Sequence, residues 1–224
     1  MQQKIGSATK LAMENCRLLP MKPRDRIIGT ARDLFRRHGI RGIGVDAIAE
    51  AAGTNKMTLY RHFGSKDELV AECLRSFGRE VDTAWNEVEA EHPGDPLAQL
   101  HAWIQCGVEC VGEGDGRGCD MANAAVELAE SDHPARHVIE EFKNDQRRRL
   151  AKLCADAGAP DAELLADTLI LLFEGARVSR QSSGMEGPWA QFTRSAEAVI
   201  AAFLRQSADQ KKETPRIAQA VATA

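Results

Sequence analysis

Two groups of side chains in this sequence have types and spacings suited to chemistry. Cys106 and Cys110 lie one helical turn apart, and Cys119 follows across a glycine-rich stretch. Thiols so placed suit a sensor of electrophiles or oxidants. The competing reading is that each is a small buried apolar residue, since nothing in the sequence obviously lowers a thiol pKa. The second group is cationic and polar, Lys56, Thr58, Arg61 and His62, all within the stretch that ends at Phe63. Lysine and arginine bind phosphate or reach guanine edges, and threonine offers bases a hydroxyl and a methyl, so this is recognition chemistry. His133 and His137 have the i, i+4 spacing of a metal-ligand pair, but Pro134 breaks the turn between them. No G-x-S-x-G, H-E-x-x-H, phosphate-binding loop or dinucleotide fingerprint stands in a suitable context, which argues against an enzyme, and no cofactor is implied.

Charge is distributed unevenly. From Met21 to Glu80 there are twelve Lys/Arg against eight Asp/Glu, a net +4, whereas the residues from Val81 onward carry a net -10. A basic front joined to an acidic remainder suits a front that meets a polyanion. No apolar run approaches the roughly 20 residues that cross a bilayer, and the N-terminal stretch lacks the apolar core of a secretory signal. The expectation is a cytoplasmic protein with no membrane partner. The six cysteines, Cys16 and Cys154 among them, show no CxxC spacing, so reduced thiols are expected.

The elements that must position these groups are all helical. Ile27, Ile28, Ala31, Leu34 and Phe35 form one stripe from Pro23 to the stop at His38-Gly39. Val45, Ile48, Ala49 and Ala52 mark a short second helix ending at Gly53; Asn55 is placed to cap a third, Lys56 to Phe63. Leu59 and Phe63, at i and i+4, must face inward, leaving Lys56, Thr58, Arg61 and His62 outward. After Gly64, Ser65 caps a long helix from Lys66 to about Glu89. Helix-length segments then follow at Pro96 to Glu113, Met121 to Glu130, Pro134 to Ala157, Asp161 to Ser183 and Pro188 to Gln206. The segment from Gly112 to Gly118 follows no strand and precedes no G-K-[ST], so it reads as a flexible loop. The fold class is all-α. An arm at 1–22, a helix-turn-helix domain at 23–66, a helical domain at 67–206 and a disordered tail at 207–224 are expected.

The sequence from Gly39 to Gly53, followed by Thr54-Asn-Lys-Met-Thr-Leu-Tyr-Arg-His-Phe-Gly-Ser-Lys-Asp-Glu-Leu69, closely resembles the DNA-binding signature of TetR-type regulators. The resemblance rests on Ile48-Ala49, Ala52-Gly53, Thr58-Leu59-Tyr60, His62-Phe63 and Ser65-Lys66 leading to Leu69 taken together. It departs where Gly44 stands in place of a capping Ser or Thr, and where Thr54-Asn55 replaces the frequent Val-Ser. It implies DNA contacts from Arg41, Thr54, Asn55, Lys56, Thr58, Tyr60, Arg61, His62 and Lys66. Of these, Tyr60, His62 and Lys66 match family positions on the DNA backbone.

The resemblance further implies a C-terminal ligand-binding and dimerisation domain, a palindromic double-stranded operator and a homodimer through the helices at 161–183 and 188–206. A small-molecule effector would meet a pocket wall including Trp103, Cys106, Cys110, Phe142, Phe173 and Arg177. Asn123, Glu127 and Glu174 are its polar candidates. The implied function is a repressor that releases DNA when the effector binds, with the long helix from Lys66 as lever. An activator, or a regulator answering to a protein partner, fits the same sequence.

Overall fold

The computed structural model describes residues 22–112 and 118–205. The expected arm apart from Lys22, the expected tail and positions 113–117 of the glycine-rich loop lie outside them. The described residues form nine helices and no strand: α1 (Pro23–His38), α2 (Val45–Ala51), α3 (Lys56–Phe63), α4 (Lys66–Glu91), α5 (Pro96–Gly112), α6 (Asp120–Glu127), α7 (Pro134–Asp156), α8 (Ala162–Ser183) and α9 over residues 192–205. A 3-10 turn, Trp189–Gln191, precedes α9, so the segment expected to be helical from Pro188 first winds tightly. The segment expected to run to Glu130 ends a turn earlier. Leu128 closes its amide on Ala124 and its backbone then leaves the helix at φ -98, ψ 88.

The described residues fall into two compact units. The first takes the chain up to Val81 together with Cys119–Glu140, and the second takes Asp82–Gly118 and Glu141 onward. In the first unit, α1, α2 and α3 pack on one another around Ile27, Ile28, Ala31, Ile48, Ala49, Ala52, Leu59 and Phe63. The caps explain the boundaries. Pro23 sits in the first turn of α1, where its missing N–H costs nothing, and Arg36, Arg37 and His38 complement the dipole at its C-terminal end. Asn55 Oδ1 accepts from Thr58 N at 2.9 Å, and Ser65 Oγ accepts from Glu68 N at 3.0 Å. Between α2 and α3 the chain reverses at Gly53, whose φ of 61 suits a residue without Cβ.

The second unit is organised by its aromatic side chains. All three tryptophans of the chain and two phenylalanines form one run, Trp85 to Trp103 to Phe173 to Phe192 to Trp189, with neighbouring ring centroids 5.2–6.3 Å apart. Such pairs add about 0.5–1.5 kcal/mol each beyond the area they bury. Trp85 Nε1 donates to Gln146 Oε1 at 2.5 Å, which satisfies the indole N–H. Arg147 clamps α7 to α8 with a fork onto both Asp167 oxygens, at 2.5 and 2.8 Å.

Candidate nucleic-acid interface

On α3, Leu59 is wholly buried and Phe63 nearly so. Those two anchors leave Lys56, Met57, Tyr60, Arg61 and His62 exposed along one face, with Thr58 half-buried at its edge. An eight-residue helix held by two apolar anchors and an N-cap is short and rigid enough to enter a major groove. The outward placement expected for Lys56, Arg61 and His62 is what the structure shows. Met57 was not among the expected contacts, yet it is 80% exposed, the most open large apolar residue on this helix. The signal for it was angular: position 57 falls on the far side of the helix from Leu59. A methionine there offers apolar contact to a thymine methyl.

The turn between α1 and α2 is gripped from three sides. Ile40 N donates to Glu127 Oε2 at 2.7 Å and Arg41 N to the same oxygen at 3.2 Å. Lys66 Nζ donates to Ile40 O at 2.6 Å, and Arg41 pairs with Glu130 at 2.7 Å. Two glycines make this possible. A Cβ on Gly42 would lie 2.1 Å from the His38 carbonyl oxygen, and one on Gly39, already at φ 76, would press on the Glu127 carboxylate at 3.1 Å. Lys66, expected on the DNA backbone, thus spends one of its three N–H donors on the turn and retains two. Thr54 closes its amide on Ala49 O at 2.9 Å, and the Asn55 carbonyl of the side chain is used in the cap. Both sit at the entrance to α3.

Acidic residues hold many of the cations that the sequence counts as a basic front. Arg32 and Arg36 face Asp120 at 3.6 and 3.5 Å, and Arg32 is also bonded to Glu80. Lys56 pairs with Asp46 at 3.1 Å, which raises its pKa through that hydrogen bond. Glu72 gathers Arg24, Arg75 and Arg79. Partial burial alone would push the Glu72 carboxyl up; hydrogen bonds and charge from Arg24 and Arg79 outweigh it and hold the group below the ordinary carboxylate range. Arg61, exposed and without an ion pair among the described residues, is the cation the α3 face presents most openly.

The expected effector residues separate between the two units. Glu127 and Asn123 lie on α6 in the first unit, where one Glu127 carboxylate oxygen, Oε2, accepts from both the Ile40 and Arg41 amides. Trp103, Phe173 and Arg177 come together in the second: Trp103 meets the Phe173 ring edge-on at 5.8 Å, and the Arg177 guanidinium stands 4.9 Å from the Phe173 centroid. Arg177 Nε is buried without a hydrogen-bond partner. Phe142 is half-buried on α7, and Glu174, on α8, is paired with Lys143. Cys106 and Cys110 are neighbours on α5, with sulfurs 3.9 Å apart; Cys119 is buried in the first unit. Of the two histidines weighed as metal ligands, His133 accepts from Ala135 N at 3.1 Å through Nδ1, with Nε2 3.4 Å from Asp67. No cluster of three or more metal-ligating side chains occurs among the described residues. None of the described helices is long and apolar enough to cross a membrane.

Comparison with known proteins agrees with this geometry. The family described as "Bacterial regulatory proteins, tetR family" matches residues 27–73, the stretch from the first core isoleucine of α1 to the cysteine that closes the core from α4. The chain is 28% identical over 151 residues to the HTH-type transcriptional repressor KstR2 of Rhodococcus jostii, covering 64% of this chain and 69% of that one. It is 32% identical over 77 residues to the HTH-type transcriptional regulator AcrR of Shigella flexneri, 34% of this chain and only 36% of AcrR. A TetR-family transcriptional regulator from Streptomyces coelicolor superposes with a TM-score of 0.74 at 25% identity, covering 81% of this chain and 96% of its own. A TetR-type regulator from Streptomyces avermitilis superposes with a TM-score of 0.67 at 29% identity, covering 82% and 98%. Residues 27–73 are therefore a TetR-family helix-turn-helix domain, and the chain is a DNA-binding transcriptional regulator.

Proposed function

We propose that this regulator is a repressor: it holds a palindromic operator as a homodimer and releases it when a small molecule binds the second unit. The observation that carries the reading is the presented face of α3, with Lys56, Met57, Tyr60, Arg61 and His62 outward over buried Leu59 and Phe63. Arg61 reaches a base edge or phosphate, and Tyr60, His62 and Lys66 bind backbone oxygens, joined by Arg41, Thr54 and Asn55.

Two features favour the rest. Leu164, Leu171 and Val178 are 53%, 71% and 64% exposed and recur every seven residues on α8. A stripe of that period suits helix-on-helix packing against a second copy, with α9 alongside, and a two-fold dimer matches a two-fold operator. In the second unit, the aromatic run with Arg177 beside Phe173 suits a largely apolar effector, and the name of KstR2 records a repressor among the relatives. The effector acts by differential affinity for the two states, a coupling of about 1–3 kcal/mol, transmitted along α4. Such a protein works in the cytoplasm, where its DNA is.

Fluorescence anisotropy on the DNA upstream of its own gene, across a salt series, tests the reading. Tight binding that weakens steeply with salt and is lost in Tyr60→Ala and Arg61→Ala is expected. Binding unchanged in both variants would overturn the assignment of α3.

A further inference from the structure

We propose that Cys106 and Cys110 form a two-thiol site for a soft, thiophilic Lewis acid, a trivalent metalloid or a d10 metal ion, bridged between their sulfurs. Both lie on α5, Cys110 exposed and Cys106 half-buried, so reagents in solvent reach the pair. Their Sγ atoms are 3.9 Å apart and share a hydrogen bond. Two thiolates bound tetrahedrally at about 2.3 Å to one centre stand about 3.8 Å apart, so the pair already has the bite of a chelate.

The same geometry argues against the disulfide that an oxidant sensor needs. Cβ atoms at i and i+4 of a helix are about 5–6 Å apart, whereas a disulfide requires about 3.5–4.5 Å. Oxidation would have to unwind the last turns of α5, and capture of a larger atom would not. A thiophilic Lewis acid displaces the proton as it binds. With phenylarsine oxide, two S–H bonds break, two As–S bonds form and the arsenic-bound oxygen leaves as water. With Zn(II), two protons are released. Neither step changes an oxidation state, so no oxidant is required.

The test uses the reduced full-length chain with Cys16→Ser, titrated separately with phenylarsine oxide and with Zn(II) and read by intact mass and thiol titration. One arsenical per chain is expected, masking two thiols, surviving excess glutathione and removed by ethanedithiol. Cys110→Ser, at an exposed position and with its fold checked by circular dichroism, should weaken capture on the order of a hundredfold, because a chelate becomes a single bond. Cys106→Ser should do the same. Zinc bound at one per chain and lost in these variants assigns the site to metal ions; capture of the arsenical alone assigns it to metalloids. The proposal is overturned if the adduct persists in Cys110→Ser, if glutathione strips it from the parent, or if peroxide closes a Cys106–Cys110 disulfide as readily as the arsenical binds.

Discussion

Replacing Glu127 by alanine should destabilise the DNA-binding unit although position 127 lies far from α3 in sequence. Its carboxylate accepts the Ile40 amide at 2.7 Å and the Arg41 amide at 3.2 Å. Arg41 is exposed, so water replaces its lost acceptor; Ile40 is only 8% exposed, and its N–H has no such recourse. A hydrogen bond to a charged acceptor contributes about 1.5–3 kcal/mol, and an orphaned buried donor costs a similar amount. Taking the lower half of that range for a half-buried carboxylate gives about 1.5–2 kcal/mol. In a protein of this size that lowers Tm by roughly 3–8 °C. Glu127→Gln keeps one acceptor oxygen without the charge and should fall between. Glu130→Ala, which breaks only an ion pair between two largely exposed groups, is the control and should melt with the parent. Thermal melts by circular dichroism, with operator affinity measured in parallel, read the outcome. If Glu127→Ala melts with the parent, the grip on the turn contributes nothing and the reasoning fails.

Glu72 makes stability depend on acid. Its folded pKa lies below the ordinary 4.5, so its contribution is present above that value and lost as the pH falls through the folded value beneath it. The stability gap between parent and Glu72→Gln, measured by urea melts, should be open at pH 7 and narrow as the pH falls below the ordinary 4.5; a gap independent of pH would contradict the assignment. Gly107→Val should displace Phe173, whose ring carbons stand 3.0 Å from the Cβ that a side chain would add. A cost of about 1–3 kcal/mol and a shift in Trp103 emission are expected, and native emission with native Tm would show the contact to be loose. Leu171→Glu, in the exposed α8 stripe, should turn a dimer into a monomer by analytical ultracentrifugation; an unchanged dimer would place the interface elsewhere.

What was legible in the sequence was what depends on near neighbours. Ile27, Ile28 and Ala31 reveal α1 by their period, Asn55 marks the start of α3 by its side chain, and Gly53 and Gly64 mark the ends by the left-handed turns they take. The inward pair Leu59 and Phe63 then fixes which α3 residues face out. What was illegible depends on distant partners. The hydrogen bond between Ile40 and Glu127 spans 87 positions, and no local pattern distinguishes that glutamate from one lining a ligand site. Counting charges overstated the free basic surface, because Arg32, Arg36 and Arg41 are met by acids from the segment around α6. The Cys106–Cys110 spacing was plain, but whether the sulfurs converge depends on side-chain rotamers that spacing does not determine.

Selecting binders from a random double-stranded pool shows whether α3 reads DNA in a two-fold complex. Enrichment is expected for a palindrome whose half-sites are about one helical turn, 10–10.5 base pairs, apart or a multiple of that. Loss of that enrichment is predicted in Arg61→Ala. Failure to enrich any sequence, or an asymmetric site bound equally by Arg61→Ala, would contradict two-fold reading by α3.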